Sequence, residues 1–188
     1  FHAVAICEIN DVFILDRLAA ILDQSGDSWK AITSNKVGNS QASSEHYGLL
    51  FNDDVFEVID AFTLPKRKLK RLHLKKGDIS NGLHFDRNPY AVFLGTDDRR
   101  FDFALVIAHV TYGQSVWPRI AEVRTLGQYY QDVFRMEQDV IVGGDFNRDV
   151  GDMPSDATDE PTNDVPADKE VTEGDFPAGT DNPLKDLD

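Results

Sequence analysis

An apolar run, Val140-Ile141-Val142, ends in Gly143-Gly144, and Asp145 and Asn147 follow two positions apart. If the run is a buried strand, both side chains leave its end on the same side. The glycines let backbone and ligand approach closely there. An anionic oxygen beside an amide donor, held on a rigid strand end, suits a divalent cation and a phosphate oxygen. Phosphoryl chemistry is the first reading that this stretch supports.

Several other residues could join it. Glu8 follows Val4 and Ile6 at period two, which places it at the polar end of a core-facing strand face. An unpaired charge there is costly; a bound cation or a basic partner would relieve it, and so would simple access to water. His109 follows Phe103, Leu105 and Ile107 in the same way. It is either a hydrogen-bonded core histidine or a proton-transfer group. Glu45 and Tyr47 lie two apart after a polar loop. Glu45 can orient an imidazole or face solvent beside a partly buried tyrosine. Arg87, in Phe85-Asp86-Arg87-Asn88-Pro89, offers a guanidinium suited to phosphate or to a local pair with Asp86 or Asp60. Lys66-Arg67-Lys68, Lys70-Arg71 and Lys75-Lys76 form a run without an intervening acid. Such a run can follow a nucleic-acid backbone or blunt an exposed hairpin edge. Cys7 reads as a small buried residue.

The elements that must position these groups can be read in order. Residues 2–9 suit a core strand. Asn10 or Asp11 can cap a helix, in which Val12, Leu15, Leu18, Ile21 and Leu22 recur at helical spacing. Gly26 suits the position past its end. Trp29 to Thr33 is a short strand, and 34–45 a polar loop. His46 to Phe51 and Val55 to Phe62 read as a strand pair around an Asn52-Asp53-Asp54 turn. After the 65–88 excursion, Tyr90 to Leu94 and Phe101 to Tyr112 are strands joined by a turn at 95–98. Pro118 opens a helix whose apolar stripe is Ile120, Val123, Leu126, Tyr130 and Val133. Asp139 to Val142 leads to the glycines. Turn-linked strands imply mostly antiparallel pairing. Two helices are too few for both faces of one broad sheet, so a two-sheet sandwich with outer helices is expected.

The chain of 188 residues carries a formal charge of −14, unevenly spread. Thirteen carboxylates against two lysines give residues 149–188 a balance of −11, and the first 148 residues carry −3. The body is therefore almost neutral, and its acidic total does not argue against a polyanionic partner. From Val150 onward large apolar residues are scarce, and a mobile acidic tail at 150–188 is expected. One cysteine excludes an intrachain disulfide. No apolar stretch is long enough for a membrane-spanning helix, and no protein partner is evident.

Taken together, the ordered set Ile6-Cys7-Glu8-Ile9, Ser44-Glu45-His46-Tyr47-Gly48-Leu49-Leu50-Phe51, Arg87-Asn88-Pro89-Tyr90, Ala108-His109-Val110 and Gly144-Asp145-Phe146-Asn147 resembles the endonuclease/exonuclease/phosphatase family, of which deoxyribonuclease I is a member. The resemblance covers residues 1–149. It implies an α/β (α+β) fold, a four-layer α/β sandwich of two mostly antiparallel sheets with outer helices. By position, it implies that Glu8 is the main ligand of Mg²⁺ (or Mn²⁺ or Ca²⁺) and that His109 contacts the scissile phosphate with Glu45 orienting it. Asp145 and Asn147 would position the attacking water and the phosphate. Arg87 would contact substrate, with Tyr47 a neighbouring structural residue grouped with it; the basic set Lys66, Arg67, Lys68, Lys70 and Arg71, read from its charge, joins the same substrate-binding group. The implied activity is metal-dependent phosphodiester hydrolysis by in-line attack of water, as a nuclease with DNA as the favoured partner. A small-substrate or phospholipid phosphatase or phosphodiesterase on the same scaffold is the alternative, and a non-catalytic fragment or binding module the second. The family's Asn on the strand before the metal-binding Glu, its second Asp and its closing Ser-Asp-His motif have no match, so a domain incomplete at both ends is expected.

Overall fold

A computed structural model describes residues 1–41, 43–67, 84–98, 100–112 and 116–147, with backbone only at 116 and 117. The elements run β1 (Ala3–Ile9), α1 (Phe13–Leu22) with one further 3₁₀ turn (Asp23–Ser25), β2 (Trp29–Thr33), β3 (His46–Asn52), β4 (Glu57–Thr63), β5 (Tyr90–Gly95), β6 (Asp102–His109), α2 (Val116–Phe134) and β7 (Val140–Asp145). Gly26, at φ 101°, closes the 3₁₀ turn in the left-handed conformation. Asp11 contributes its carboxylate to the Phe13 N–H at 3.0 Å, a local contact that steadies the start of α1.

The strands form two sheets, ordered β1-β3-β2 and β4-β5-β6-β7. Period-two alternation sorts their side chains into separate cores. Tyr47, Leu49 and Phe51 of β3 meet Tyr90, Val92 and Leu94 of β5 and Phe103, Leu105 and Ile107 of β6 between the sheets. The opposite faces of β5 and β6, with Ala91, Phe93, Ala104, Val106 and Ala108, pack on Ala121, Leu126, Tyr129 and Val133 of α2. Ile9 and Leu50 pack on Leu15 and Ala19 of α1. The order of layers is α1, three-stranded sheet, four-stranded sheet, α2, which is the four-layer sandwich expected. Gly48 permits the close approach of α1, because a Cβ there would sit 2.2 Å from Leu15 Cδ1.

Four expectations need correction. β3 and β4 do not pair with each other: β3 lies between β1 and β2, while β4 pairs with β5. Every residue of β3 after His46 is buried, so both of its edges are taken up within its own sheet. The Asn52–Phe56 turn, in which the Asn52 carbonyl accepts from Val55 and Phe56 N–H, carries the chain across to the other sheet. The stripe of α2 runs through Tyr129 rather than Tyr130. Tyr129 is buried and its hydroxyl donates to the Pro65 carbonyl at 2.9 Å, whereas Tyr130 is exposed. The strand before the glycines is not fully buried either. β7 is an edge strand among the described residues and Ile141 is 53% exposed. Finally, the strand expected to reach Tyr112 ends at His109.

Two features of this architecture place the site. α2 carries the chain from β6 to a parallel β7, in a register that sets Ala108 opposite Gly144 and His109 opposite Asp145. In the other sheet, antiparallel pairing of β1 with β3 brings the C-terminal end of β1 beside the start of β3. Glu8, Glu45, His109 and Asp145 thus gather at one end of the sandwich. The expected mobile tail at 150–188 lies outside the described residues, as do Lys68, Lys70, Arg71, Lys75 and Lys76.

Candidate active site

Glu8 reaches this end by a route that the alternation of β1 does not give. Val4, Ile6 and Ile9 all pack toward α1, while Ala3 and Cys7 face the inter-sheet core. Ile6 and Ile9 are three apart yet share a face, because the β1–β3 register shifts between them. One extra residue is accommodated there, and Glu8 takes φ 59°. Strict alternation would have sent Glu8 to the α1 side; the bulge turns it toward the sheet ends. Its side chain is 68% exposed, with Oε1 3.6 Å from His109 Nε2.

His109 ends the inter-sheet face of β6, as the period-two reading expected, and its side chain is almost wholly buried. Its Nδ1 lies 2.8 Å from Glu45 Oε1. A carboxylate only accepts, so Nδ1 carries the proton and Nε2 is the nitrogen turned toward the open side. Glu45 is buried rather than solvent-facing. Its other oxygen, Oε2, forms an ion pair with Arg87, 2.9 Å from Nε, so the charge of the buried carboxylate is compensated.

Arg87 is therefore committed behind the imidazole. Its Nε donates to the Ser43 carbonyl at 3.1 Å, and Nη1 lies 3.4 Å from Asp86 Oδ2. Of the local partners considered, Asp86 is present and Glu45 replaces Asp60. Tyr47 is a correction to the substrate-binding set. It is fully buried, its hydroxyl donates to the Arg87 carbonyl at 3.1 Å and accepts from the His109 N–H at 3.0 Å, and so it ties two strands instead of meeting a ligand. Burial pushes its phenol well above the usual range, which keeps the hydroxyl a donor at any ordinary pH.

Asp145 and Asn147 close the opposite side. Gly144, at φ 140°, passes so near β6 that a Cβ would lie 1.9 Å from the Ala108 carbonyl oxygen. Only glycine fits there. Asn147, past the end of β7, takes φ 47°. Its N–H donates to Asp145 Oδ1 at 2.7 Å and its Nδ2 donates to the Val110 carbonyl at 2.7 Å. Asn147 lies past the end of β7, so strand alternation does not set the direction of its side chain; the bond to Val110 does. Ligand atoms of Glu8, His109 and Asp145 all lie within 4.8 Å of one another, with both carboxylates exposed. Two carboxylates from different sheets, open to water, fit a hard divalent cation that keeps part of its hydration shell.

Cys7, between the sheets, lies 3.9 Å from the Ala108 carbonyl, and burial raises its thiol; it behaves as packing. Lys66 is exposed and donates to Asn39 Oδ1 at 2.7 Å. Arg67 pairs with Asp132 of α2 and lies over the Tyr129 ring. The basic run thus begins with one cation held against the fold. One residue close to the site escaped the sequence reading. Glu122 of α2 is 1% exposed, and its oxygens accept from the N–H groups of Asp86 (2.8 Å) and Thr111 (2.6 Å). Burial raises its carboxyl to about 7, against the lowering effect of those two N–H groups. A signal existed: the buried positions 133, 129 and 126, extended back one more helical step, land on Glu122.

The sequence matches no family model and no curated protein. Solved structures do match its fold. The human Nocturnin catalytic domain with bound sulfate anion aligns over 79% of this chain and 52% of its own, at 16% identity and a TM-score of 0.52. An endonuclease/exonuclease/phosphatase family protein from Bacteroides thetaiotaomicron covers 81% of this chain and 52% of its own, at 12% identity and a TM-score of 0.51. ANGEL2, a 2′,3′-cyclic phosphatase, covers 80% and 40% at 12% identity and a TM-score of 0.51. The fold is that of the endonuclease/exonuclease/phosphatase proteins, as the ordered motifs suggested. The chain spans about half, or less, of the length of these structures.

Proposed function

We propose that this chain carries the centre of a divalent-cation-dependent phosphodiester hydrolase, with a nuclease as the leading reading. The observation that supports it most is the meeting of Glu8, His109 and Asp145 at one end of the sandwich, with Glu45 and Arg87 behind the imidazole. Glu8 would hold the cation, with Asp145 across from it. When bound, Mg²⁺, Mn²⁺ or Ca²⁺ would offset the negative charge that develops on phosphate oxygens.

The remaining work falls to the chain. Asp145, exposed and anionic, orients a water and accepts its proton as the water attacks phosphorus in line. Asn147 spends one amide hydrogen on Val110 and presents the other to a phosphate oxygen. His109, fixed by Glu45 through Nδ1, turns Nε2 to the same opening; as imidazolium it donates there to a non-bridging oxygen or to the leaving group. Arg87 keeps Glu45 in place instead of binding substrate. Lys66 and the basic residues after Arg67 would follow a polyanionic backbone.

The engagement of Arg67 with Asp132 and Tyr129 favours a second reading, in which a small phosphoester is the substrate. A plasmid-nicking assay with and without chelator tests the proposal. Chelator-sensitive nicking that falls steeply with salt supports a nuclease. Hydrolysis of a small phosphodiester with little salt dependence supports the second reading, and neither activity with added Mg²⁺ or Mn²⁺ rejects both.

A further inference from the structure

Glu122 does not face the open end of the site, yet it holds both loops behind it. Asp86, whose N–H meets Oε1, adjoins Arg87, and Arg87 grips Glu45. Thr111, whose N–H meets Oε2, lies two residues past His109. It follows Val110, whose N–H donates to the Asp145 carbonyl and whose carbonyl accepts from Asn147. Asp86 in turn takes the Asn39 N–H and the Ser43 hydroxyl on its own carboxylate, which extends the hold to the loop before Glu45. One carboxylate on α2 therefore spans the two sides of the His109–Glu45 pair.

We infer that Glu122 is a positioning residue, which uses one oxygen on each loop to set the spacing of the Arg87–Glu45 pair against His109 and Asp145. Its effect on turnover rests on the function proposed above; the bridge itself does not. Both oxygens accept fully only from the ionised group, because a protonated carboxyl turns one of them into a donor facing an N–H. The charged groups that bear on it are Asp86, which opposes ionisation, and Arg87, which favours it; Tyr129 on the same helix is kept neutral by burial. Acidification through about pH 7 should therefore loosen the bridge.

The test is Glu122→Gln in the full chain, with Val133→Ala as a control that weakens α2 away from both loops. Amide hydrogen exchange at Asp86 and Thr111, the ring Nδ1–H resonance of His109, and kcat and KM for bis(p-nitrophenyl) phosphate across pH 5.5–8.5 are read. Glu122→Gln should speed exchange at both amides by about tenfold or more. It should also shift the His109 resonance, and lower kcat about tenfold with KM within about twofold. The rise in kcat through neutral pH should flatten. Val133→Ala should lower Tm and leave the other readouts alone. If Glu122→Gln does not fold, Glu122→Asp, one methylene too short to span both loops, takes its place with the same expectations for exchange, the His109 resonance and kcat; its pH profile is not used, because aspartate still ionises. The inference is overturned if exchange or kcat is unchanged, or if Val133→Ala reproduces the pattern. A wild-type chain that hydrolyses nothing sinks the hydrolase reading, and exchange with the His109 resonance then decides the bridge alone.

Discussion

The two sides of the His109 imidazole are built differently. In front, Glu8, Asp145 and Asn147 lie at the open end, and backbone conformation holds two of them: Glu8 at φ 59°, Asn147 at φ 47°, with Gly144 at φ 140° before Asp145. Behind, Glu45, Arg87, Tyr47 and Glu122 are buried or nearly so, and hydrogen bonds and charge pairs hold them. The front stores local strain and keeps the Glu8 and Asp145 carboxylates exposed to water or a ligand. The back leaves almost nothing free. Front substitutions should therefore change chemistry at nearly constant stability, and back substitutions should change both.

Asp145→Ala gives the sharpest test of the front. The exposed carboxylate contributes one bond to the fold, to the Asn147 N–H, so stability should change by less than about 1 kcal/mol. Turnover should fall by about 10³-fold or more, as expected for loss of a base. Thermal melting beside phosphodiesterase kinetics checks both halves. A variant with near-normal turnover removes Asp145 from the proposed mechanism.

Tyr47→Phe is the matching test of the back. It deletes only a hydroxyl, but leaves the Arg87 carbonyl and the His109 N–H without that partner in a buried place. Stability should drop by about 2–4 kcal/mol, since each buried unpaired group costs about 1–3 kcal/mol. Denaturant unfolding measures it, and a change under about 1 kcal/mol would erase the contrast between front and back.

Glu8→Gln sharpens the front further. The isostere keeps the bulge and gives up the charge. Divalent-cation affinity by calorimetry should fall by about tenfold or more, with the cation-free Tm within about 2 °C of wild type. Equal uptake by both proteins would take Glu8 out of the cation site.

The same contrast explains what could be read in the sequence. The strands, the layers and the ordered motifs were legible because alternation and short signatures are local. His109 and Glu45 were placed well, since each ends or precedes a strand whose apolar period is clean. Glu8 was picked for the wrong geometric reason: a bulge is set by pairing with β3, which the sequence of β1 does not contain. The contacts that tie Arg87 to Ser43 and Tyr47 to Arg87 join residues some forty apart in the chain, so no local pattern could name them. The β3–β4 hairpin failed because a turn signal specifies a reversal, not which sheet the next strand joins. Glu122 was hidden in a helix whose stripe was drawn through Tyr130, one residue out of phase with the buried Tyr129.

A last contrast separates stability from activity at one residue of the back. Burial raises the Glu122 carboxyl from 4.5 to about 7 in the folded chain. A raised acid favours folding below its unfolded value, and that contribution is lost as pH climbs through the folded value. Ionising Glu122 thus costs stability on the order of 3 kcal/mol between about pH 4.5 and 7, at the 1.36 kcal/mol that each unit represents. Glutamine carries no such cost, so the Tm of Glu122→Gln relative to wild type should climb as pH goes from 5 to 8. Over the same range the bridge tightens in the wild type, because the ionised carboxylate accepts from both loops, and wild-type turnover should rise relative to the variant. Opposite pH trends in Tm and kcat from one substitution would show that the back trades stability for placement of the imidazole. Parallel trends would mean that Glu122 serves the fold alone.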